Sequence, residues 1–161
     1  MKENIEAEKI VVDELDRGFC NEVAALPGGQ NIRKCFACGT CAAGCPVTGI
    51  DEQYNSRKII RQVLFGMREE VLSSPLIWFC LMCYRCYARC PQQVNFPDVM
   101  KALRYLAIKH GHASADLLGD SDEVDRMAQT IRRDMIKNTV EGRKQVIEEL
   151  KARIAPPSLL K

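Results

Sequence analysis

Eight cysteines in this chain are spaced so that they can act together. The first run reads Cys35-Phe-Ala-Cys38-Gly-Thr-Cys41-Ala-Ala-Gly-Cys45-Pro46, and the second Cys80-Leu-Met-Cys83-Tyr-Arg-Cys86-Tyr-Ala-Arg-Cys90-Pro91. Both follow C-x2-C-x2-C-x3-C-P, and each cysteine and proline of the first run recurs 45 positions later. Thiolates so spaced bind metal. Three cysteines two residues apart can curl around one cubane [4Fe–4S] cluster, with main-chain amides aimed at its sulfurs, while the x3-Pro ending turns the fourth thiolate away. Zinc competes for such residues, but structural zinc sites are usually built from separated C-x2-C pairs.

In two-cluster ferredoxins the fourth cysteine of each run ligates the other cluster. Applied here, one cluster takes Cys35, Cys38, Cys41 and Cys90, and the other takes Cys80, Cys83, Cys86 and Cys45. The spacer residues suit that use. Gly39 and Gly44 are expected to let the backbone approach inorganic sulfide. Phe36, Trp78, Phe79, Leu81 and Met82 are expected to exclude water. Arg33, Lys34, Arg85 and Arg89 place positive charge beside anionic clusters, which raises their potentials. The formal charge of the bare chain is +2; eight thiolates and two oxidised cores carry it to about −2.

The elements that must position these loops repeat as well. Gly66 and Gly111 each lie 20 residues after the proline of their run, and a helical pattern precedes each glycine. The first helix spans 56–66, with Ile59, Ile60, Val63 and Leu64 on its apolar face, Ser56 as N-cap and Gly66 past its end. The second begins at Pro97 and runs to Gly111, with Val99, Leu103, Leu106 and Ala107 on its face and Lys109 and His110 at its negative end. The duplication suggests two equivalent sites about a pseudo-two-fold axis. A further helix is expected over 67–73, then a Ser74-capped turn through Pro75 that delivers Cys80. Upstream, Leu15, Phe19, Val23 and Leu26 recur at helical spacing; residues 4–12 read as strand or helix alike. Downstream, helices are expected over 122–137 (Val124, Met127, Ile131, Met135) and 139–155 (Val140, Ile147, Leu150, Ile154), stopped by Pro156-Pro157. No strand pattern stands out, so the fold class is all-α. The domain reading is an N-terminal extension at 1–30, a dicluster domain at 31–111 and a C-terminal helical extension at 112–161.

Composition narrows the function. A chain of 161 residues with mixed charge and 6% aromatics is a modest globular protein, not a basic nucleic-acid binder. The longest apolar-looking uncharged stretch, 71–84, is 14 residues, short of a bilayer's roughly 20. The acids of the N-terminal MKENIEAEKIVVDEL stand where a signal peptide's apolar core would be, so the chain is expected in a reducing cytoplasm, without disulfides. Cys20 reads as a small semi-buried residue, His110 and His112 as helix-end groups, and Tyr84 and Tyr87 as packing around the clusters. No nucleophile–base set, phosphate loop or dinucleotide fingerprint is present, so the chain is expected to carry electrons and have no catalytic residues of its own.

The segment from about Asn31 to Gly111 resembles the C-type iron–sulfur subunits of heterodisulfide reductase. The likeness lies in the first cysteine run through Val47, in Ser56-Arg57-Lys58-Ile59-Ile60-Arg61 through Gly66, in Trp78-Phe79-Cys80 through Tyr84, and in Arg89-Cys90-Pro91 through Val94 with the helix that follows. The resemblance implies an α-helical ferredoxin fold with two [4Fe–4S] clusters, in a cytoplasmic complex of methanogens or other anaerobes. It implies a flavin-containing A-like subunit that receives electrons and a cysteine-rich B-like subunit that does the disulfide chemistry. Both cysteine quartets carry over; residues 113–161 match nothing in that pattern, so the substrate of the whole complex stays open. The iron–sulfur subunit of a glycolate, glycerol-3-phosphate or succinate dehydrogenase shares the same module, and a zinc-stabilised interaction module is the third reading.

Overall fold

The computed structural model describes residues 11–154. Residues 4–10 of the ambiguous N-terminal segment and Pro156-Pro157 lie outside the described residues, as do the side chains of Ile147 and Ile154. Eight helices are seen among those described: α1 Phe19–Ala25, α2 Thr40–Ala43, α3 Ser56–Phe65, α4 Arg68–Leu72, α5 Arg85–Ala88, α6 Phe96–Lys109, α7 Asp116–Val140 and α8 Lys144–Ile154. Short 3-10 turns stand at Val12–Glu14, Ile32–Lys34 and Pro75–Trp78. The described residues hold no strand, and the fold is all-α. No described helix is long and apolar enough to cross a membrane.

The chain divides into two units, Met1–Ser114 and Ala115–Lys161. The first holds the core. α3 buries Ile59, Ile60 and Val63, α6 buries Val99, Leu103 and Leu106, and α1 and α4 add Phe19, Val23, Val71 and Leu72. These are the faces that the helical periodicity marks. Arg68 ties α4 to the N-terminal side: its guanidinium lies over the Phe19 ring, 4.8 Å from its centre, and donates to Asp16 and Glu22 at 2.6 Å each.

The 45-residue repeat is visible in the backbone. α2 and α5 begin 45 residues apart, and so do the left-handed Gly66 and Gly111. Beyond each glycine the chain closes the same helix end: Met67 N–H donates to the Gln62 carbonyl at 3.0 Å, and His112 N–H to the Ala107 carbonyl at 2.8 Å. Ile32 and Ile77, also 45 apart, sit buried in the 3-10 turns that lead into the two cysteine loops.

Several expectations need correcting. The N-cap of α3 is Asn55, whose Oδ1 accepts from the Lys58 N–H at 3.1 Å; Ser56 is the first helical residue, and its side chain is buried. Ser74 does cap its turn, accepting from the Leu76 N–H. α1 begins only at Phe19, because the Asp16–Gly18 turn before it is held by the Asp16 side chain and by the Gly66 carbonyl. In the second unit, α7 starts at Asp116 instead of 122 and runs through Gly119; the break falls at left-handed Gly142. There the Arg143 N–H donates to the Asn138 carbonyl, the same helix-ending device. The expected stripe on α7 is not a buried face: Val124 and Met127 are exposed, Ile131 and Met135 half-buried.

Candidate functional site

Each cysteine loop threads through two left-handed residues. In the first loop they are Ala37 (φ 60) and Gly39 (φ 84); in the second, at the equivalent positions, Met82 (φ 49) and Tyr84 (φ 58). Residues other than glycine adopt this conformation at a cost. The gain is a concave turn whose amides face inward, a nest for anions. The Ala37 amide stands beside the Cys35 sulfur, and the Met82 amide beside that of Cys80. Tyr84 is held in its strained position by its hydroxyl, which donates to Asp98 at 2.9 Å and accepts from Lys101 at 2.9 Å.

Two cavities lie at the loops. One is lined by Cys45, Cys80, Cys83 and Cys86, the other by Cys35, Cys38, Cys41, Cys90 and again Cys86. Counting the open solvent at their mouths, they measure about 330 and 360 Å³. Each brings three cysteines of one loop together with the fourth of the other. Electrostatics report the same neighbours: like-charge repulsion from Cys90 acts on Cys35, and from Cys45 on Cys80. Cys86 and Phe96 form a common wall between the cavities.

None of the nine cysteines forms a disulfide. Burial, followed by repulsion from Cys80, pushes the Cys86 thiol up to about 12. Burial likewise raises Cys35 and Cys80, whereas a hydrogen bond from the Thr40 hydroxyl, 3.4 Å away, lowers exposed Cys38. Thiols crowded in this way ionise together only when a metal core supplies the opposing charge. Among the described residues no three His, Cys, Asp or Glu side chains converge on a single-ion position. The eight loop cysteines are distributed over the walls of the two cavities.

The spacer residues do not all behave as expected. Phe36 and Phe79 are exposed and line neither cavity; Leu81, also exposed, forms part of the wall of the Cys80 cavity; Trp78 and Met82 are half-buried. Gly44 serves a side chain: a Cβ there would stand 2.0 Å from Arg89 Nη1, so the missing side chain makes room for that guanidinium. Arg85 lines the Cys80 cavity, while Arg57, which no cysteine spacing singles out, lines the other. Cys20 is buried in the core, more fully than expected. His110 and His112 reach carboxylates, Glu22 at 3.3 Å and Glu69 at 3.8 Å.

Residues outside the two runs complete the surroundings. Arg104, on α6 and 5% exposed, donates to the carbonyls of Ile77, Trp78 and Cys80. Tyr54, fully buried, and its neighbour Ser56 line the Cys80 cavity. The sequence marks Ser56 only as a helix cap, and Arg104 and Tyr54 bear no motif; only an unusual arginine on an apolar helix face could have hinted at the first.

Comparison with known proteins agrees with this geometry. A 4Fe-4S dicluster domain model matches residues 34–94, a span that holds all eight loop cysteines. The chain is 31% identical over 137 residues to the C-type subunit of the ferredoxin:CoB-CoM heterodisulfide reductase of Methanosarcina mazei, covering 77% of this chain and 84% of that one. The chain belongs to the family of heterodisulfide reductase C-type iron–sulfur subunits. The C-type iron-sulfur subunit of the Methanopyrus kandleri CoB–CoM heterodisulfide reductase is 31% identical over 133 residues, 74% of this chain and 69% of the relative. A Methanocaldococcus jannaschii relative, the second C-type iron-sulfur subunit of CoB–CoM heterodisulfide reductase, is 41% identical over 110 residues, 64% of this chain but 58% of that protein. The chain thus spans little more than half the length of several curated relatives. It carries two [4Fe–4S] clusters, and its role is that of an iron–sulfur electron-transfer protein.

Proposed function

We propose that this chain relays single electrons between a flavin-containing A-like subunit and a cysteine-rich B-like subunit that reduces a disulfide, in a cytoplasmic complex. Cys35, Cys38, Cys41 and Cys90 hold one cluster; Cys80, Cys83, Cys86 and Cys45 hold the other. The observation that carries this reading is the pair of cavities, each lined by three cysteines of one loop and the fourth of its partner loop. When bound, the clusters supply one-electron redox chemistry. The chain's own residues do the rest. The nests at Ala37 and Met82 aim amides at sulfur, Cys86 and Phe96 keep the two sites within one side chain of each other, and α3 and α6 keep the inner walls dry. Exposed Phe36 and Leu81, at equivalent positions of the two loops, leave an apolar rim beside each site for a partner subunit to cover.

Anaerobically purified protein should contain about eight iron and eight acid-labile sulfide. Cys90→Ala should damage the cluster held by Cys35, Cys38 and Cys41. Loss of the Cys80-group signal in electron paramagnetic resonance would show the pairing to be wrong. Co-purification of a flavoprotein and a second cysteine-rich subunit is the expected result for the partners; a lone dehydrogenase would replace the assignment.

A further inference from the structure

Four buried side-chain oxygens have no hydrogen-bond partner among the described residues: Thr48 Oγ1, Tyr54 Oη, Ser56 Oγ and Asn95 Oδ1. Two of the four, on Tyr54 and Ser56, belong to side chains that line one cavity, that of Cys45, Cys80, Cys83 and Cys86. Tyr54 is fully buried and Ser56 is 1% exposed. A buried hydroxyl without an acceptor works against folding, and a chain that keeps two at one site has an acceptor in store for them. The remaining walls are mainly Pro46, Val47, Leu81, Phe96 and Pro97, none of which offers a side-chain acceptor. Sulfur is what remains. The Tyr54 hydroxyl stands beside Cys80, the one buried cysteine of that quartet.

The other cavity is built differently. Its inner wall is Ile60, Val94 and Phe96, its charged lining residue is Arg57, and its only hydroxyl among the lining residues is that of Thr40, which is exposed to water. The positions 45 residues after Tyr54 and Ser56 are Val99 and Lys101, and neither lines it. The pseudo-symmetry of the loops therefore breaks at this pair of hydroxyls.

We infer that Tyr54 and Ser56 are hydrogen-bond donors to the sulfurs of the cluster held by Cys80, Cys83, Cys86 and Cys45, and that they raise its reduction potential selectively. The inference rests on the quartets proposed above. A donor to sulfur stabilises the extra negative charge of the reduced state, and it does so more strongly where water is absent. Burial of Cys80 removes that water, and the two hydroxyls take its place.

The test is a potentiometric titration of the anaerobic full-length protein followed by electron paramagnetic resonance. Cys83→Ala and Cys38→Ala first assign each signal to its loop. Tyr54→Phe should lower the midpoint of the Cys80-group cluster by about a tenfold change in its reduced-to-oxidised ratio, about 59 mV for one electron. Ser56→Ala should lower it in the same direction, and neither should move the Cys35-group cluster comparably. In D2O, wild-type protein should show exchangeable deuterons coupled to the reduced Cys80-group cluster, and Tyr54→Phe should lose one of those couplings. Unmoved midpoints with both clusters intact overturn the inference and leave the relay reading standing. A shift confined to the Cys35-group cluster overturns it too. Protein with zinc and no sulfide overturns the relay reading and the inference with it. If Tyr54→Phe assembles no second cluster, the deuteron coupling in wild type decides, and its absence overturns the inference.

Discussion

Replacing Arg104 by methionine tests how the second cysteine loop is held. The arginine enters from α6, and its Nε donates to the Ile77 carbonyl at 2.9 Å. Its Nη2 donates to the carbonyls of Trp78 and Cys80 at 3.0 Å each. The guanidinium also lies 5.3 Å from the centre of the Trp78 ring. These carbonyls form the approach to Cys80, so one buried cation shapes the stretch of chain that presents that thiolate. Methionine keeps the length and the packing of the stem and removes every donor. Hydrogen bonds from a charged donor contribute about 1.5–3 kcal/mol each. No longer burying a guanidinium returns several kcal/mol. The net loss is about 2–4 kcal/mol. For a unit near a hundred residues this lowers Tm by about 10–30 °C. Circular dichroism melting and the intensity of the two cluster signals follow the outcome. Arg104→Met should lose the Cys80-group cluster before the other, with Arg104→Lys intermediate, since an ammonium cannot reproduce the planar fork. A melting point within about 2 °C of wild type, or loss of the Cys35-group cluster first, would refute the reasoning.

Gly66→Ala and Gly111→Ala should differ although the two glycines share φ values of +82° and +79°. Both carry the left-handed cost of about 1–2 kcal/mol, but a Cβ at Gly66 would stand 2.3 Å from the Asp16 carbonyl oxygen, whereas one at Gly111 meets nothing within 4 Å. Denaturant titration should show Gly66→Ala worse by at least about 1–3 kcal/mol; equal losses would contradict it. Glu22 is held down to about 2, chiefly by its hydrogen bond from Arg68. A depressed carboxylate stabilises the fold above its unfolded value and loses that contribution as pH falls through the folded one. The Tm gap between wild type and Glu22→Gln should therefore be constant above about pH 4.5 and narrow toward pH 2; a gap that widens on acidification would contradict the assignment. Truncation after Ser114 should leave both clusters in place, because the first unit contains the core and both cavities. Iron and sulfide analysis of the truncated protein checks this, and loss of either cluster would show that the C-terminal helices hold the site.

Much of the first unit is legible in the sequence for a local reason. The faces of α3 and α6 are patterned by residues three and four apart, and Gly66 marks a helix end because only glycine adopts that conformation cheaply. Ser56 misleads for the same reason: a serine before a helix suggests a cap, but Asn55, one place earlier, provides it. The second unit is less legible. Gly119-Asp120-Ser121-Asp122 looks like a loop, yet α7 runs straight through it, since propensity is a weak constraint over a few residues.

The chemistry of the centre is settled by covalent order. Cysteine spacing, proline and a 45-residue repeat specify eight thiolates in two equivalent loops before any folding takes place. Folding decides what surrounds those thiolates. Arg104 reaches Cys80 across 24 residues, and Tyr54 meets Cys80 from the run-up to α3. Gly44 is small because Arg89 of the other loop needs its space. Contacts of this kind depend on which helix faces pack together, and no pattern along the chain encodes a neighbour that only folding supplies. The two loops are therefore alike as sequence and unlike as environments: one cavity has a buried pair of hydroxyls, and the other has Arg57, an exposed threonine and an apolar inner wall.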